Sequence, residues 1–218
     1  MRVVIVGARR FARRMYVYLS QDGGRDVAAF AVPRQYLEET EILGLPVVAL
    51  EELDERFGPE EHEACVAVGY VRTNRVRAEL CDELEGRGYG LVSYRSSRAT
   101  VWGEVAPRHT LVLDDAVVGP FARVGEDVIL NGANVNHDAV VEDHCFIGTG
   151  ATIGGEARIG AYSFVGLNAT IRNEVTIAPR CVIGANAFVK RDTKEGEVYS
   201  AASADPIRLK SWELRDPY

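Results

Sequence analysis

The sequence predicts an α/β domain followed by a β-solenoid. The solenoid is predicted by seven consecutive six-residue blocks between Ile147 and Phe188, which read IGTGAT, IGGEAR, IGAYSF, VGLNAT, IRNEVT, IAPRCV and IGANAF. Each block begins with Ile or Val, and its fifth position is Ala, Ser, Val or Cys. A fixed short period indicates that each block is one structural unit stacked on its neighbours. The α/β domain is predicted by apolar strands that alternate with helical stretches in the first half of the chain.

The strands of the α/β domain are short and apolar. They are predicted at residues 2–6, 27–32, 65–68 and 91–94, and residues 43–58 form a strand followed by a helix. Helical stretches end near Leu19 and Arg87. In a parallel sheet of this kind, ligands bind at the carboxyl ends of the strands, where the loops GARRFARR and GYVRTNRVR begin. Gly7 permits a tight turn there, and the following helix N-terminus is suited to an anion.

A period of six fits neither a helix nor an isolated strand, but it fits a short β-segment followed by a tight turn. The β-branched residue then points inward, and Gly, Asn or Asp at the corners tolerates positive φ. The pattern is weaker upstream. It begins at Val101, slips by one residue before Ile129 and Val135, and is lost after Val189. The slip predicts a distorted coil at that point.

Composition excludes several classes of protein. The chain has 218 residues, a net charge of −7 and a pI of about 5.2, which argues against a nucleic-acid partner. No apolar run approaches a membrane span, and the arginines that follow the first short apolar run do not fit a secretory signal. The four cysteines show no CxxC spacing, which favours reduced buried thiols. We therefore expect a cytoplasmic protein.

The chain has four histidines, and one stands out. His137 lies at a solenoid corner beside Asp138, a carboxylate that would fix the imidazole tautomer, so His137 is a candidate general base. His62 in a polar run is expected at the surface, and His109 is expected to be structural. For His144 the sequence leaves open a contact with the active site.

A zinc site is the alternative use of these histidines. Trimeric hexapeptide-repeat carbonic anhydrases bind zinc through three histidines, two of them close in sequence and one far upstream. The candidates here, His109, His137 and His144, have gaps of 28 and 7, which is not that pattern. We therefore predict no metal site.

The segments VVIVGA, LGLPVVALEEL, VAVGYVRTNRVR and NHDAVVEDH, together with the repeats, carry a family resemblance. The chain resembles bacterial sugar acyltransferases of the sialic-acid O-acetyltransferase and bacillosamine N-acetyltransferase type. The resemblance implies a Rossmann-like sugar- or nucleotide-binding domain at residues 1–97 and a left-handed parallel β-helix acyltransferase domain with a C-terminal tail at residues 98–218. It also implies a homotrimer with active sites between neighbouring β-helices. The donor would be acetyl-CoA, and the acceptor an amino or hydroxyl group of a sugar that is often nucleotide-linked.

The resemblance also assigns residues. His137 would be the base with Asp138 as its partner, and the backbone N–H of Gly155, one coil later, would stabilise the oxyanion. Contacts with coenzyme A are expected at Phe146, Gly155, Asn173 and Ala185. Contacts with the acceptor are expected at Gly7, Arg9, Arg10, Gly69, Tyr70, Arg75, Asn134 and Asn136. The coil distortion near His137 would then shape the acceptor pocket.

The chain departs from the family pattern in several places. GARRFAR replaces a glycine-rich loop, AFAVPRQ lacks an acidic residue after the second strand, and Phe146 replaces a second histidine. The C-terminal glycine-proline-alanine motif appears only as AASADPIR. Arg9, Arg10, Arg72 and Arg75 could hold phosphates in place of the glycine-rich loop, or they could be solvated surface charges.

Two other hypotheses stay open. One keeps the fold with another acyl donor or a non-nucleotide acceptor. The other is a catalytically silent β-helix that acts as a scaffold or binds a nucleotide sugar.

Overall fold

The computed structural model describes residues 1–203. The N-terminal domain is built on one sheet with the order β3-β4-β2-β1-β5-β6. Its strands are β1 (Arg2–Val6), β2 (Val27–Val32), β3 (Glu41–Ile42), β4 (Leu45–Ala49), β5 (His62–Val66) and β6 (Gly90–Leu91). All neighbours pair in parallel except β3 and β4, which form an antiparallel pair at the edge. The predicted α/β domain is confirmed, although β5 begins three residues before the predicted 65–68.

Helices cover both sides of this sheet. They are α1 (Arg10–Val17), continued by a π-helical turn at Tyr18–Asp22, then α2 (Leu53–Arg56) and α3 (Arg75–Gly86), with short 3-10 turns at Arg34–Tyr36 and Leu50–Glu52. Helix α1 buries Ala12 and Met15, which are three residues apart and therefore lie on one face. Helix α3 buries Cys81 and Leu84 on the opposite side of the sheet, with Val4 and Val6 of β1. No helix among residues 1–203 is long and apolar enough to cross a membrane.

The rest of the described chain winds into a parallel β-helix with three faces. The first, the covered face, contains β7 (Tyr94–Arg95), β10 (Leu111–Val112), β13 (Ile129–Leu130), β16 (Phe146–Ile147), β19 (Phe164–Val165), β22 (Val182–Ile183) and β24 (Val198–Tyr199). The second, the neutral face, contains β8 (Thr100–Val101), β11 (Val117–Val118), β14 (Asn134–Val135), β17 (Thr152–Ile153), β20 (Thr170–Ile171) and β23 (Phe188–Val189). The third, the charged face, contains β9 (Glu104–Val105), β12 (Arg123–Val124), β15 (Val140–Val141), β18 (Arg158–Ile159) and β21 (Thr176–Ile177).

The second residue of each strand from β8 to β24 points into the β-helix, as the repeat predicts. Val118, Val135 and Ile153 stack in successive layers and are fully buried. Burying an aliphatic side chain of this size contributes about 1.5–3 kcal/mol. The β-helix begins at Tyr94, which lies before residue 98, and it continues to Tyr199 rather than ending near Val189.

The predicted register slip is present, but it lies at the corner before His137 and does not distort the coil at His137. Leu130 rather than Ile129 points inward, and the next inward residue, Val135, follows after five positions instead of six. The chain absorbs the missing residue at the preceding corner, where Gly132 has a φ of 62°. The strands on both sides keep their parallel pairing, so the coil at His137 is regular. Ile129 is apolar although it points outward, because its side chain is buried by the N-terminal domain.

The N-terminal domain packs on the covered face. Outward-pointing Leu111, Ile129 and Phe146 of that face share one core with Ile5 and Met15. The remaining two faces are left uncovered by the N-terminal domain. The corner where they meet is therefore on the opposite side of the β-helix from that domain, and this corner carries His137.

Candidate active site

His137 and Asp138 form an exposed pair at the corner between the neutral and charged faces. Asp138 adopts a φ of 58°, which turns the chain from β14 into β15. His137 Nδ1 lies 3.0 Å from Asp138 Oδ2, and the two side chains are 58% and 51% exposed. A carboxylate only accepts hydrogen bonds, so Nδ1 carries the proton and the lone pair is on Nε2. His137 is thus an oriented imidazole whose basic nitrogen is accessible.

Gly155 lies one layer from His137, as the coil length predicted. Strand β14 pairs with β17 so that Asn134 faces Thr152, eighteen residues later, and the same offset joins His137 to Gly155. A Cβ at Gly155 would lie 2.5 Å from His137 Nε2, a distance that no real Cβ contact shows. Only glycine therefore lets the imidazole lie against this backbone segment. The basic nitrogen and the Gly155 peptide group are neighbours.

Two asparagines complete this corner. The Gly155 N–H donates a hydrogen bond to Asn173 Oδ1 at 3.1 Å, and Asn173 is exposed. Asn136 Nδ2 donates to the carbonyl oxygen of Ile153 at 2.8 Å, which ties the turn before His137 to the next layer. Asn134 lies on the outer side of the neutral face, two residues before Asn136. The structure thus brings together all three predicted catalytic residues and three of the predicted binding residues.

The predicted acceptor loops of the N-terminal domain meet each other at the carboxyl edge of its sheet. Gly7 has a φ of 134°, and a Cβ there would lie 2.8 Å from the carbonyl oxygen of Ala67. This close approach puts the loop after β1 beside the loop after β5, which continues through Gly69. The charged or aromatic side chains of these loops are exposed, namely Arg9, Arg10, Tyr70 and Arg75.

These loops and His137 are far apart in one chain. The Tyr70 ring lies 5.4 Å from the Phe146 ring and 4.5 Å from the Phe164 ring, both on the covered face. Phe146, a predicted coenzyme A contact, therefore lies away from the His137 corner. Ala185, another predicted contact, is exposed at the corner between the covered and neutral faces. A single chain leaves these predicted binding residues separated from the base.

The sequence interpretation missed a buried ionic cluster between the domains, which we call the Asp127 cluster (Arg77, His109, Asp127 and His144). Asp127 accepts hydrogen bonds from Arg77 Nε at 2.8 Å, His109 Nδ1 at 2.7 Å and His144 Nδ1 at 2.9 Å. The Arg77 and Asp127 side chains are fully buried. Asp127 follows His109 by 18 residues and precedes His144 by 17, and each interval is the length of one coil. This spacing in the sequence could have indicated that the three residues stack in successive layers.

Both oxygens of the Asp127 carboxylate and both ring nitrogens of His109 have hydrogen-bond partners. His109 Nε2 accepts the Val66 N–H at 2.9 Å, so this imidazole is neutral. Burial by itself would raise the pKa of the Asp127 carboxyl, but the hydrogen bonds from His109 and His144 and the charge of Arg77 hold its pKa well below the ordinary value. Arg77 also donates to backbone carbonyl oxygens of the β-helix. The cluster therefore fastens α3 to the β-helix.

Three histidines can now be assigned. His109 is structural, as expected. His144 lies at the corner between the charged and covered faces, stacked on Tyr162, and not at the His137 corner. The expectation that His62 is at the surface is wrong, because its ring is buried against Phe57 and bonds the carbonyl oxygen of Gly58.

One group of described residues has ligand atoms close enough for a metal ion, namely Cys81, His109 and Asp127, within 4.8 Å of one another. This set does not fit a metal. The Arg77 guanidinium already bonds Asp127 Oδ1, and its positive charge opposes a cation there. Burial also raises the pKa of the Cys81 thiol, which disfavours the thiolate that a metal requires.

No protein-family model matches the sequence, and no curated protein matches it by sequence. Solved structures do match the fold. A histidine-to-asparagine variant of perosamine N-acetyltransferase from Caulobacter crescentus, in complex with CoA and GDP-perosamine, superposes with a TM-score of 0.82 and 25% identity, covering 91% of this chain and 92% of that chain. The acetyltransferase domain of PglB from Neisseria gonorrhoeae matches with a TM-score of 0.80 and 24% identity, covering 90% and 95%. WeeI from Acinetobacter baumannii matches with a TM-score of 0.80 and 20% identity, covering 91% and 95%.

The chain has the fold of the hexapeptide-repeat acetyltransferases. Its similarity to these structures over nine tenths of its length confirms the predicted resemblance to bacterial sugar acyltransferases.

Proposed function

We propose that this protein transfers the acetyl group of acetyl-CoA to an amino or hydroxyl group of a nucleotide-linked sugar. The observation that carries the proposal is the His137 corner. An imidazole with its proton fixed on Nδ1 by Asp138 lies against Gly155, where any side chain would collide with the basic nitrogen. This pairing of a base with a neighbouring backbone N–H is what acyl transfer from a thioester requires.

The mechanism is direct attack on the thioester. His137 Nε2 accepts a proton from the acceptor amine as its nitrogen attacks the acetyl carbonyl carbon. Negative charge develops on the carbonyl oxygen, and the Gly155 N–H stabilises it. The tetrahedral intermediate then collapses, the carbon–sulfur bond breaks, and coenzyme A leaves after its sulfur receives the proton from His137. Asp138 stabilises the transient imidazolium without accepting its proton.

The solved perosamine N-acetyltransferase structures support the identity of both substrates. Those structures contain CoA and GDP-perosamine, and two of them carry a substitution of one histidine, by asparagine or by alanine. Perosamine N-acetyltransferase acts on an amino sugar linked to a nucleotide, so we favour N-acylation of a nucleotide-linked amino sugar. We assign the acceptor's phosphates to the loops that carry Gly7, Arg9, Arg10 and Arg75, since these arginines are exposed beside a helix N-terminus.

We further propose that the active form is a homotrimer. The acceptor loops lie on the covered face and the base lies at the opposite corner, so a complete site needs the loops of a second chain. The neutral face fits contact with another copy, because its outward residues (Thr100, Val117, Asn134, Thr152, Thr170 and Phe188) are all uncharged. Ala185 would then reach a coenzyme A molecule that is bound between two chains, whereas Phe146 is buried against the N-terminal domain of its own chain and is not part of this proposal.

A cytoplasmic location fits this proposal. All four cysteines are free and buried, and burial raises the pKa of the Cys65 and Cys145 thiols to about 12. Such thiols persist in a reducing compartment.

The test is release of free thiol from acetyl-CoA in the presence of candidate acceptors. The panel should contain amino sugars linked to GDP, UDP and dTDP, the matching sugars with a hydroxyl in place of the amine, and the free amino sugars. We expect the fastest release with a nucleotide-linked amino sugar. Comparable rates with free sugars would remove the nucleotide from the proposal. Absence of release with every acceptor, despite binding of a nucleotide sugar, would favour the non-catalytic scaffold.

The shared site can be tested by subunit complementation. His137→Ala lacks the base and Arg9→Glu/Arg10→Glu lacks the proposed phosphate contacts, so each homotrimer should be inactive. Mixed trimers formed by co-expression should regain about a quarter of wild-type activity, because some sites combine an intact base with intact loops. If each site is confined to one chain, the mixture stays inactive.

A further inference from the structure

In the free protein the N–H group that the proposed reaction needs already has a partner. Gly155 is buried, and its N–H donates to Asn173 Oδ1 at 3.1 Å. We propose that Asn173 is a displaceable latch, which holds the Gly155 N–H until the carbonyl oxygen of the acetyl thioester replaces it. This inference rests on the proposed function and adds a positioning residue to it.

The latch has a clear physical reason in the unliganded protein. A buried N–H without a partner costs free energy, so the turn needs an acceptor when no thioester is bound. Asn173 comes from the next layer of the same corner, directly above Gly155, and its side chain is exposed. An exposed side chain can rotate into solvent without leaving a cavity. Asn173 can therefore release the Gly155 N–H easily.

The chain uses a different residue type for the same contact elsewhere. At the corner after β12, Asp143 Oδ1 accepts the N–H of Glu126 at 2.8 Å. Glu126 and Gly155 hold the same position after their strands, and Asp143 comes from the next layer, as Asn173 does, but it is a carboxylate. A hydrogen bond to a carboxylate is shorter and roughly twice as strong as one to a neutral amide. At the His137 corner the backbone N–H thus has a weaker hydrogen bond, to an uncharged amide oxygen.

The lack of charge matters for the reaction. A carboxylate at position 173 would hold the N–H more tightly and would place negative charge where the thioester oxygen becomes negative. An amide oxygen competes for the N–H in the free protein but opposes the oxyanion far less. Asparagine therefore satisfies the N–H at rest and still permits exchange for the substrate.

The test compares Asn173→Ala and Asn173→Asp, with Asp143→Asn as the matched control at a corner that takes no part in the chemistry. The readout is the ratio of the dissociation constants of CoA and acetyl-CoA. Contacts with the pantetheine arm occur in both ligands and cancel in this ratio, so it reports on the acetyl carbonyl. In Asn173→Ala we expect the affinity for acetyl-CoA, relative to that for CoA, to rise about fivefold, since no hydrogen bond must be broken first. In Asn173→Asp we expect this relative affinity to fall about fivefold or more. Asp143→Asn should leave the ratio unchanged.

Turnover gives a second readout. We expect kcat of Asn173→Ala to stay within about threefold of the wild type, and kcat of Asn173→Asp to fall at least about tenfold. If Asn173→Ala loses kcat as severely as Asn173→Asp, Asn173 donates to the substrate or supports the turn, and the latch is wrong. An unchanged ligand ratio in Asn173→Ala overturns it as well. Amide hydrogen exchange at Gly155 should be faster in Asn173→Ala than in the wild type, and equal exchange would also exclude the latch.

These results separate the latch from the proposed function. If the ligand ratio changes as expected but no acceptor triggers thiol release, the latch stands and the proposed transfer fails. If thiol is released and the ratio is unaffected, only the latch fails. If acetyl-CoA does not bind at all, both are wrong.

Discussion

The molecule contains two places where an aspartate orients imidazole rings, and they differ in almost every other respect. At the His137 corner a single pair, His137 and Asp138, is more than half exposed. In the Asp127 cluster the aspartate is fully buried and is bonded at once by Arg77, His109 and His144. The residue types are the same, yet the imidazole of the first place is exposed to solvent, whereas those of the second are held in a buried network.

The difference teaches how burial separates structural from chemical use of the same residues. A buried aspartate with an arginine and two imidazoles is stable because each charge and donor is satisfied, which leaves little freedom to move a proton. An exposed pair contributes little to stability and keeps a lone pair available. Perturbation of the first should therefore affect folding, and perturbation of the second should affect turnover.

The largest expected effect is on catalysis. His137→Ala should lower kcat/KM for acetyl transfer by about 10²–10⁴, the usual contribution of a general base. Its thermal midpoint should stay close to that of the wild type, because the side chain is 58% exposed. The matched variant is His144→Ala, which should lose stability and retain its turnover. Retention of most acetyl transfer by His137→Ala would remove the assignment of the base.

The next effect is on stability. Arg77→Met removes one partner of a fully buried ion pair, which leaves Asp127 charged and uncompensated, so the free energy of unfolding should fall by about 3–5 kcal/mol. Urea unfolding measures this change. Arg98→Met, which breaks an exposed pair with Asp115, should cost less than about 1 kcal/mol. Equal losses of unfolding free energy in the two variants would show that the buried pair does not stabilise the packing of α3 on the β-helix.

A smaller effect on kcat is expected from a change at Gly155, which lies one layer above His137. Gly155→Ala places a Cβ where His137 Nε2 now lies, 2.5 Å away, so the imidazole must shift. A displacement of this order should lower kcat by about 10² while the fold persists. Gly86→Ala is the control, since nothing lies within 4 Å of its added Cβ. Wild-type kcat in Gly155→Ala would mean that His137 does not act from this position.

The smallest effect concerns acid stability. The pKa of Asp127 is lowered in the folded protein, so its contribution to stability is present above the unfolded value of about 3.9 and is lost as the pH falls towards the folded pKa. Between pH 4 and pH 2, Asp127 should add up to about 1.4 kcal/mol per pH unit to the slope of the unfolding free energy. Asp127→Asn should reduce that slope, as measured by urea midpoints at several pH values. An identical slope in both proteins would contradict the assignment.

Much of the fold was predictable because it is local. A turn every six residues is set by neighbouring side chains, so the repeat determined the strands, the inward rows and the number of residues in a coil. The same regularity is sufficient to place Gly155 one layer from His137, and the strand pairing agrees with it. The location of the slip was not predictable, because Ile129 and Leu130 are both apolar and either could point inward.

The sequence by itself determined the class of fold, the corner that carries His137 and Asp138, and the layer that carries Gly155. Only the tertiary structure decided which face the N-terminal domain covers, and with it the separation of the proposed base from the loops proposed to bind the sugar. It alone also revealed the contact of Arg77 with Asp127, fifty residues apart, and the contact of Asn173 with Gly155. The physical reason is that a repeat specifies contacts between successive coils, whereas contacts between domains and the choice of side-chain rotamer depend on packing that has no period in the sequence.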